Sequence, residues 1–193
     1  MPLVYFITHP EVVIIPEVSV PRWPLSKKGQ LRMRSLVAKD WVRSVRSIYS
    51  SKEKKAIDGA EILANHLELP ITTLEALGEN NRSSTGYLEK KAFEAMANQF
   101  FASPEKSIRG WERAIDAQQR IVDAVDSILK DNSSSGNIAI VSHGGVGTLL
   151  LCHLSNSPIS RSMDQPGGGG GNLFCFDKES RTLMYGWQPI EDL

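Results

Sequence analysis

The feature that most constrains the fold is the apolar run at residues 138–141, Ile-Ala-Ile-Val, which leads directly into Ser142-His143-Gly144-Gly145. A short run of this kind is typical of a strand buried on both faces of a parallel sheet. A second apolar run, at residues 3–7, ends in the same way, with Thr8-His9. We therefore expect two buried strands, each followed at once by a histidine.

The rest of the chain alternates between helical and strand patterns. Helices are predicted over 26–45, 53–67, 88–101, 108–130 and from about 143 to 154, with short strands over 47–50 and 71–74 and a final hairpin of strands over 173–176 and 183–187. Strands separated by helices predict an α/β fold, three-layered as α/β/α with a mainly parallel central sheet. Four prolines between residues 10 and 24 predict a long loop.

The length and the local composition indicate one domain. A chain of 193 residues suits a single core. The apolar patterning gives way to Asn, Ser, Thr and Gly near residue 78. We predict one domain over residues 1–193, with a small insertion at about 78–104.

Charge and cysteine usage narrow the possible partners and the compartment. The chain has 22 basic and 22 acidic side chains, so no net charge attracts nucleic acid, and no stretch approaches the length needed to span a membrane. We expect neither a nucleic-acid nor a membrane partner. Cys152 and Cys175 lie among apolar residues, which predicts buried free thiols in the reducing cytoplasm. The oligomeric state is open.

The two histidines after the strands are the best candidates for chemistry. The carboxyl ends of parallel strands meet at one edge of a sheet, which is where α/β proteins bind ligands. Gly144 begins the helix that follows His143, and a helix N-terminus offers free N–H groups to an anion. A single histidine there is more often structural, but the pair indicates a shared site. His66 and His153 lie inside predicted helices and are interpreted as structural.

Several blocks appear in an order that resembles a known family. They are Thr8-His9-Pro10, Pro24-Leu25-Ser26 with Gly29, Tyr49-Ser50-Ser51 with Ala56, Ala60 and residues 61–64, Leu77-Gly78-Glu79, and Val141-Ser142-His143-Gly144-Gly145. The chain resembles the histidine phosphatase superfamily, the phosphoglycerate-mutase-like group, which has Arg-His-Gly after its first strand. The resemblance implies a phosphoglycerate-mutase-like fold and covers most of the chain.

The resemblance also implies a reaction and its residues. It implies a phosphomonoester hydrolase that acts on a small phosphorylated substrate through a phosphohistidine, with no metal or cofactor. His9 matches the nucleophile, His143 the histidine that donates to phosphoryl oxygens, and Glu79 the acid that protonates the leaving oxygen and then activates water. Glu75 competes with Glu79 but precedes the matching block.

Two arginines that bind phosphate in this family are replaced here. Thr8 and Lys55 stand in their places, and neither supplies the planar fork of a guanidinium. Arg22 in the proline-rich loop and Arg82 beyond Glu79 are candidates to fill the gap, the alternative being that they are ordinary surface arginines. The predicted phosphate-binding residues are Thr8, Arg22, Lys55, Arg82 and Gly144. Pro10 also replaces a glycine and removes an N–H beside the site.

Other functions fit the sequence less well. Loss of both arginines leaves open a weakened or inactive pseudo-enzyme that binds a phosphorylated ligand. A phosphoglycerate-type mutase is a further alternative, but residues 78–104 do not resemble the longer insertion of those enzymes. Gly145 and Gly147 lack the third glycine of a dinucleotide-binding motif, and no cluster completes a metal site around His9 and Glu11. The sequence does not identify the substrate.

Overall fold

The computed structural model describes residues 1–192, which form a six-stranded sheet flanked by helices. The strands are β1 (Leu3–Thr8), β2 (Val45–Ser50), β3 (Ile71–Thr73), β4 (Asn137–Ser142), β5 (Asn172–Asp177) and β6 (Leu183–Pro189). Their order is β3-β2-β4-β1-β5-β6. The first four strands of that order are parallel, whereas β5 and β6 run antiparallel to their neighbours. The predicted mainly parallel sheet and final hairpin are confirmed.

Five α-helices cover the two faces of the sheet. They are α1 (Lys27–Leu36), α2 (Lys54–Leu67), α3 (Lys90–Ala102), α4 (Ala114–Asp131) and α5 (Gly144–Leu154). Side chains of β1 alternate between the faces: Val4 and Phe6 join the core beneath α3, α4 and α5, whereas Tyr5 and Ile7 join the core beneath α1 and α2. The three-layer α/β/α prediction is therefore correct.

Two helix boundaries differ from the predictions. The helix predicted over 26–45 ends at Leu36, and Asp40–Ser44 form a 3₁₀ turn. In that turn Trp41 stacks on Tyr5 of the sheet with ring centroids 3.8 Å apart. The helix predicted from residue 108 begins only at Ala114. Arg109 and Gly110 have φ values of 50° and 83°, a conformation that a right-handed helix excludes.

The proline-rich loop is held by local contacts. Val12 forms an isolated bridge with Leu25. The indole of Trp23 is buried, and its Nε1 donates to the carbonyls of Ile15 and Val18, both at 2.9 Å. These bonds hold residues 15–23 as one wall of the candidate site described below.

Three further sequence predictions concern the whole chain. Cys152 and Cys175 are buried and unpaired, as predicted. None of the helices described in residues 1–192 is long and apolar enough to cross a membrane. Residues 78–104 contain α3, and their interpretation as an insertion in a single domain stays a prediction.

Candidate active site

His9 and His143 meet at the carboxyl edge of the sheet. β1 and β4 are adjacent and parallel, with Thr8 in register with Ser142. The residue after each strand therefore lies at the same edge, and the two imidazole centroids are 5.1 Å apart with the rings at 68°. The sequence prediction that these strand ends bring the histidines together is confirmed.

Backbone contacts fix the protonation pattern of His9. Its Nδ1 lies 2.9 Å from the carbonyl oxygen of Pro10. Because a carbonyl can only accept, Nδ1 carries the ring proton and Nε2 of the neutral ring keeps its lone pair. Burial and, to a smaller extent, the charge of Lys55 lower the His9 pKa from 6.5 to about 4. At neutral pH the His9 side chain is therefore uncharged.

The glycine run at residues 167–171 packs against the backbone of His9. Gly171 donates its N–H to the His9 carbonyl at 3.3 Å. Gly170 has a φ of 72°, and a Cβ added there would lie 2.1 Å from the same carbonyl. Only glycine allows this approach. The loop therefore supports the segment that carries His9.

His143 is fully buried among polar groups. Its Nε2 lies 2.7 Å from Ser51 Oγ and 3.4 Å from Glu53 Oε1. Nδ1 has no hydrogen-bond partner in the part of the chain that the structure describes. Burial holds the His143 pKa well below 6.5, although the Glu53 carboxylate opposes that shift.

Glu79 lies against the N-terminus of α5, next to His143. Its Oε2 accepts the N–H of Gly145 at 3.1 Å, and its Oε1 accepts the N–H of Val146 at 3.0 Å. A carboxylate is favourable there because the helix dipole places partial positive charge at its N-terminus. The structure thus brings together His9, His143 and Glu79. Glu75, the competing residue, is 89% exposed and lies 3.8 Å from Lys52.

Lys55 is only 3% exposed, but its charge is already paired. Its Nζ contacts Glu53 Oε2 and donates to the carbonyl of Val20 at 3.0 Å. Burial alone would raise the Glu53 pKa, yet the charges of His143 and Lys55 bring it down to about 2. The cation that replaces the second family arginine is therefore partly neutralised by a carboxylate inside the site.

Thr8 is buried and faces away from the two imidazoles. Its hydroxyl donates to Gln165 Oε1 at 2.8 Å and accepts the N–H of Asn172 at 3.0 Å. Gln165 also reaches the start of α5, because a Cβ added at Gly144 would lie 2.1 Å from its Nε2. The Thr8 hydroxyl is thus engaged by protein groups rather than presented to a ligand.

The two candidate arginines differ sharply in position. Arg22 ends the 3₁₀ turn Val20–Arg22 with an exposed side chain, and no residue of the described chain bonds its guanidinium. Arg82 is half-buried, with its guanidinium 4.8 Å from the Phe93 ring centroid. Its charge helps to lower the pKa of both His9 and His143. Of the two, Arg82 lies close to the histidines.

A family model of the histidine phosphatase superfamily (branch 1) matches residues 19–172. The chain belongs to the histidine phosphatase superfamily. No curated protein sequence matches it significantly.

Solved structures share the phosphatase fold at low identity. YhfR of Bacillus stearothermophilus is 24% identical with a TM-score of 0.79, over 95% of this chain and 94% of that one. A mycobacterial glucosyl-3-phosphoglycerate phosphatase in complex with inorganic phosphate is 18% identical with a TM-score of 0.79, over 100% of both chains. Phosphoserine phosphatase of Entamoeba histolytica in complex with 3-phosphoglyceric acid is 15% identical with a TM-score of 0.76, over 100% of both chains.

A cavity of about 1050 Å³ adjoins this carboxyl edge of the sheet. Its walls are residues 16–21 of the proline-rich loop, residues 75, 76 and 78–83, Gly86 and Tyr87, together with Lys52, Glu53, Glu112 and Arg120. Pockets for drug-sized ligands span roughly 300–1,000 Å³, so the space exceeds what a phosphoryl group alone needs. Glu79 and Arg82 line the cavity, and Glu53, another lining residue, lies 3.4 Å from Nε2 of His143.

Three residues of the site escaped the sequence analysis. Glu53 precedes Lys55 by two positions, and an acidic residue so close to a predicted phosphate-binding lysine was the available signal. Gln165 and Asn172 lie more than 150 residues after Thr8, and only the antiparallel pairing of β5 with β1 brings Asn172 to that position.

Proposed function

We propose that the chain is a phosphomonoester hydrolase that acts through a phosphohistidine at His9. One observation carries the proposal: the Nδ1 proton of His9 is held by the Pro10 carbonyl, which leaves a neutral, nucleophilic Nε2 in a ring 5.1 Å from His143. A neutral ring whose Nδ1 proton is fixed in this way, beside a second imidazole, presents the lone pair that a nucleophilic attack requires.

The proposed reaction has two displacements. In the first, His9 Nε2 attacks phosphorus, the ester P–O bond breaks, and Glu79 gives a proton to the leaving oxygen. In the second, water attacks the phosphohistidine, the N–P bond breaks, and Glu79 takes the proton of the water. Phosphate then leaves and His9 is free again. The position of Glu79, next to His143 at the start of α5 and lining the cavity, supports this role.

His143 and the cations would stabilise the transferring phosphoryl group. Donation from Ser51 to Nε2 of His143 leaves the ring proton on Nδ1, whose lack of a partner in the described chain makes it available to a phosphoryl oxygen. We assign the remaining phosphate contacts to Arg82, Lys55 and the N–H of Gly144. Thr8 and Arg22 are not among them, because the Thr8 hydroxyl is engaged elsewhere and Arg22 is exposed.

The substrate would be a small phosphorylated molecule whose leaving group occupies the cavity. The similar structures include complexes with inorganic phosphate and with 3-phosphoglyceric acid, which supports a phosphorylated ligand. The cavity volume admits a leaving group larger than either of those ligands requires.

The test is turnover of p-nitrophenyl phosphate together with trapping of the covalent intermediate. We expect the protein to hydrolyse this ester and to hold acid-labile phosphate during turnover. His9→Ala should abolish both, whereas His66→Ala, a substitution at an exposed histidine of α2, should change neither. Full turnover by a folded His9→Ala variant would rule out the mechanism.

A second candidate is a pseudo-enzyme that binds a phosphorylated ligand without turnover. The observation in its favour is the neutralisation of Lys55 by Glu53. Orthovanadate distinguishes the two functions in a crystal. Vanadium bonded to His9 Nε2 would support the hydrolase, whereas an anion bound away from His9 in a protein without turnover would support the binding function.

A further inference from the structure

The guanidinium of Arg120, on α4, donates hydrogen bonds to the segment that carries Glu79 and to Glu112. Its Nη1 donates to the carbonyls of Ala76 and Gly78, both at 2.9 Å, and its Nη2 donates to the carbonyl of Glu79 at 3.3 Å. Nε and Nη2 also donate to the two carboxylate oxygens of Glu112, at 2.9 and 2.8 Å. A guanidinium has five N–H donors, and here each has an acceptor.

Glu112 bonds to the same segment on the C-terminal side of Glu79, at Asn81. Its Oε2 accepts the N–H of Asn81 at 2.9 Å, and its own N–H donates to the Asn81 carbonyl at 2.8 Å. Arg120 and Glu112 together form what we call the Arg120–Glu112 clamp. The clamp holds the chain immediately before and after Glu79.

The clamped segment has few other contacts. Beyond the 3₁₀ turn Glu75–Leu77, residues 78–81 belong to no helix or strand, so no sheet ladder fixes the backbone of Glu79. Outside the clamp, Glu53 Oε1 accepts the N–H of Glu79 at 2.9 Å, and the Ser142 hydroxyl donates to the Leu77 carbonyl at 2.7 Å. The carboxylate of Glu79 is held by α5, its carbonyl by α4 and its N–H by Glu53, so the position of the carboxylate relative to His9 depends on all three.

We propose that Arg120 is a positioning residue for the proton-transfer step, acting through the backbone of Glu79. The inference rests on the proposed function, because it requires Glu79 to protonate the leaving oxygen. A catalytic group displaced by about 1 Å can lose roughly 10²-fold in rate. Releasing three carbonyls around Glu79 permits a displacement of that size, whereas His9 and His143 keep their own supports on β1 and β4.

Leaving-group dependence separates this role from a general loss of structure. p-Nitrophenolate leaves readily as an anion, whereas an alkoxide needs protonation, so loss of the acid harms alkyl esters selectively. We expect Arg120→Met to lower kcat/KM for glycerol 2-phosphate by roughly 10²-fold, and for p-nitrophenyl phosphate by less than about 5-fold. The value of kcat/KM reports only the steps up to formation of the phosphohistidine, so the activation of water, which both substrates share, does not enter the comparison. Glu79→Gln should give the same pattern, and the double variant should lose little more than either single one.

Two variants serve as matched controls. Arg120→Lys keeps the charge but has three donors in place of five, so it should recover part of the alkyl-ester activity. Arg113→Met removes an exposed arginine near the start of the same helix, where it pairs with Asp116. This substitution should leave kcat/KM for both substrates unchanged. Thermal unfolding checks that each variant is folded; if Arg120→Met is not, Arg120→Lys and Glu112→Gln carry the same comparison.

The outcomes separate the two claims. If Glu79→Gln reduces kcat/KM for both substrates equally, the proposed role of Glu79 as the acid is wrong, and the inference fails with it. If Glu79→Gln lowers kcat/KM mainly for the alkyl ester, but the folded clamp variants lower kcat/KM for both substrates equally, the clamp is only structural. In that case the inference is overturned and the proposed function stands.

Discussion

The two halves of the candidate site are built in different ways. The histidine half, His9 and His143, is placed by the backbone: β1 and β4 are in register, and a main-chain carbonyl orients the His9 ring. The cation half is placed by side chains that compete with a ligand. Lys55 pairs with Glu53, and Thr8 bonds to Gln165. The comparison shows that main-chain geometry fixes the two histidines, whereas side-chain partners fix Lys55 and Thr8.

The largest expected effect comes from separating the Lys55–Glu53 pair. Lys55→Met leaves the Glu53 carboxylate buried without its lysine, and breaking a buried pair in this way costs about 3–5 kcal/mol of unfolding free energy. Glu53→Gln in the same chain should restore most of that loss. Denaturant unfolding of the single and double variants measures both effects.

Lys54→Met provides the matched control for that experiment. Lys54 lies one position earlier, and its half-exposed side chain pairs with Asp58, whose carboxylate also accepts the N–H of Leu25, so removal of Lys54 should cost no more than about 1 kcal/mol. Equal destabilisation by the two lysine substitutions would show that Glu53 does not depend on Lys55.

The same contrast explains what the sequence could predict. The positions of His9 and His143 follow from apolar runs whose ends must share a sheet edge, so local pattern and topology were sufficient. The partners of the cation half depend on where long side chains turn after folding. No periodicity indicates that Glu53 turns inward, or that Gln165 reaches Thr8 across 157 positions. The start of α4 was misplaced for a related reason, because the positive φ of Arg109 is a non-glycine exception.

The next largest effect should distinguish the two candidate arginines. A hydrogen bond to a charged group contributes about 1.5–3 kcal/mol, so Arg82→Met should weaken inhibition by inorganic phosphate roughly 10- to 100-fold. Arg22→Met should change it by less than about 2-fold, because an exposed side chain away from the cavity loses no such bond. Competitive inhibition of p-nitrophenyl phosphate hydrolysis gives both values.

The reverse result would change the assignment of the phosphate cation. Loss of inhibition in Arg22→Met but not in Arg82→Met would mean that the proline-rich loop moves to deliver Arg22. In that case the cation half would form only with ligand bound, and the histidine half alone would be preformed.

The smallest expected effect concerns pH and the histidine half. The folded protein holds the His9 pKa at about 4, whereas an unfolded histidine titrates near its ordinary value of 6.5. Between these two values the unfolded chain binds a proton that the folded chain does not, so His9 makes the protein less stable as the pH falls. Lys55 and Arg82 add to the lowering of the His9 pKa, and Glu53 opposes it.

The unfolding free energy of the wild type should therefore decrease more from pH 7 to pH 5 than that of His9→Gln. His143 and the carboxylates of Glu53 and Glu79 are present in both proteins, but His9→Gln also removes the smaller contribution of His9 to the lowered pKa of His143, so the difference reports His9 together with that coupling. Equal slopes would mean that His9 is solvated and charged in the folded state near pH 5, which would remove the neutral nucleophile on which the histidine half depends.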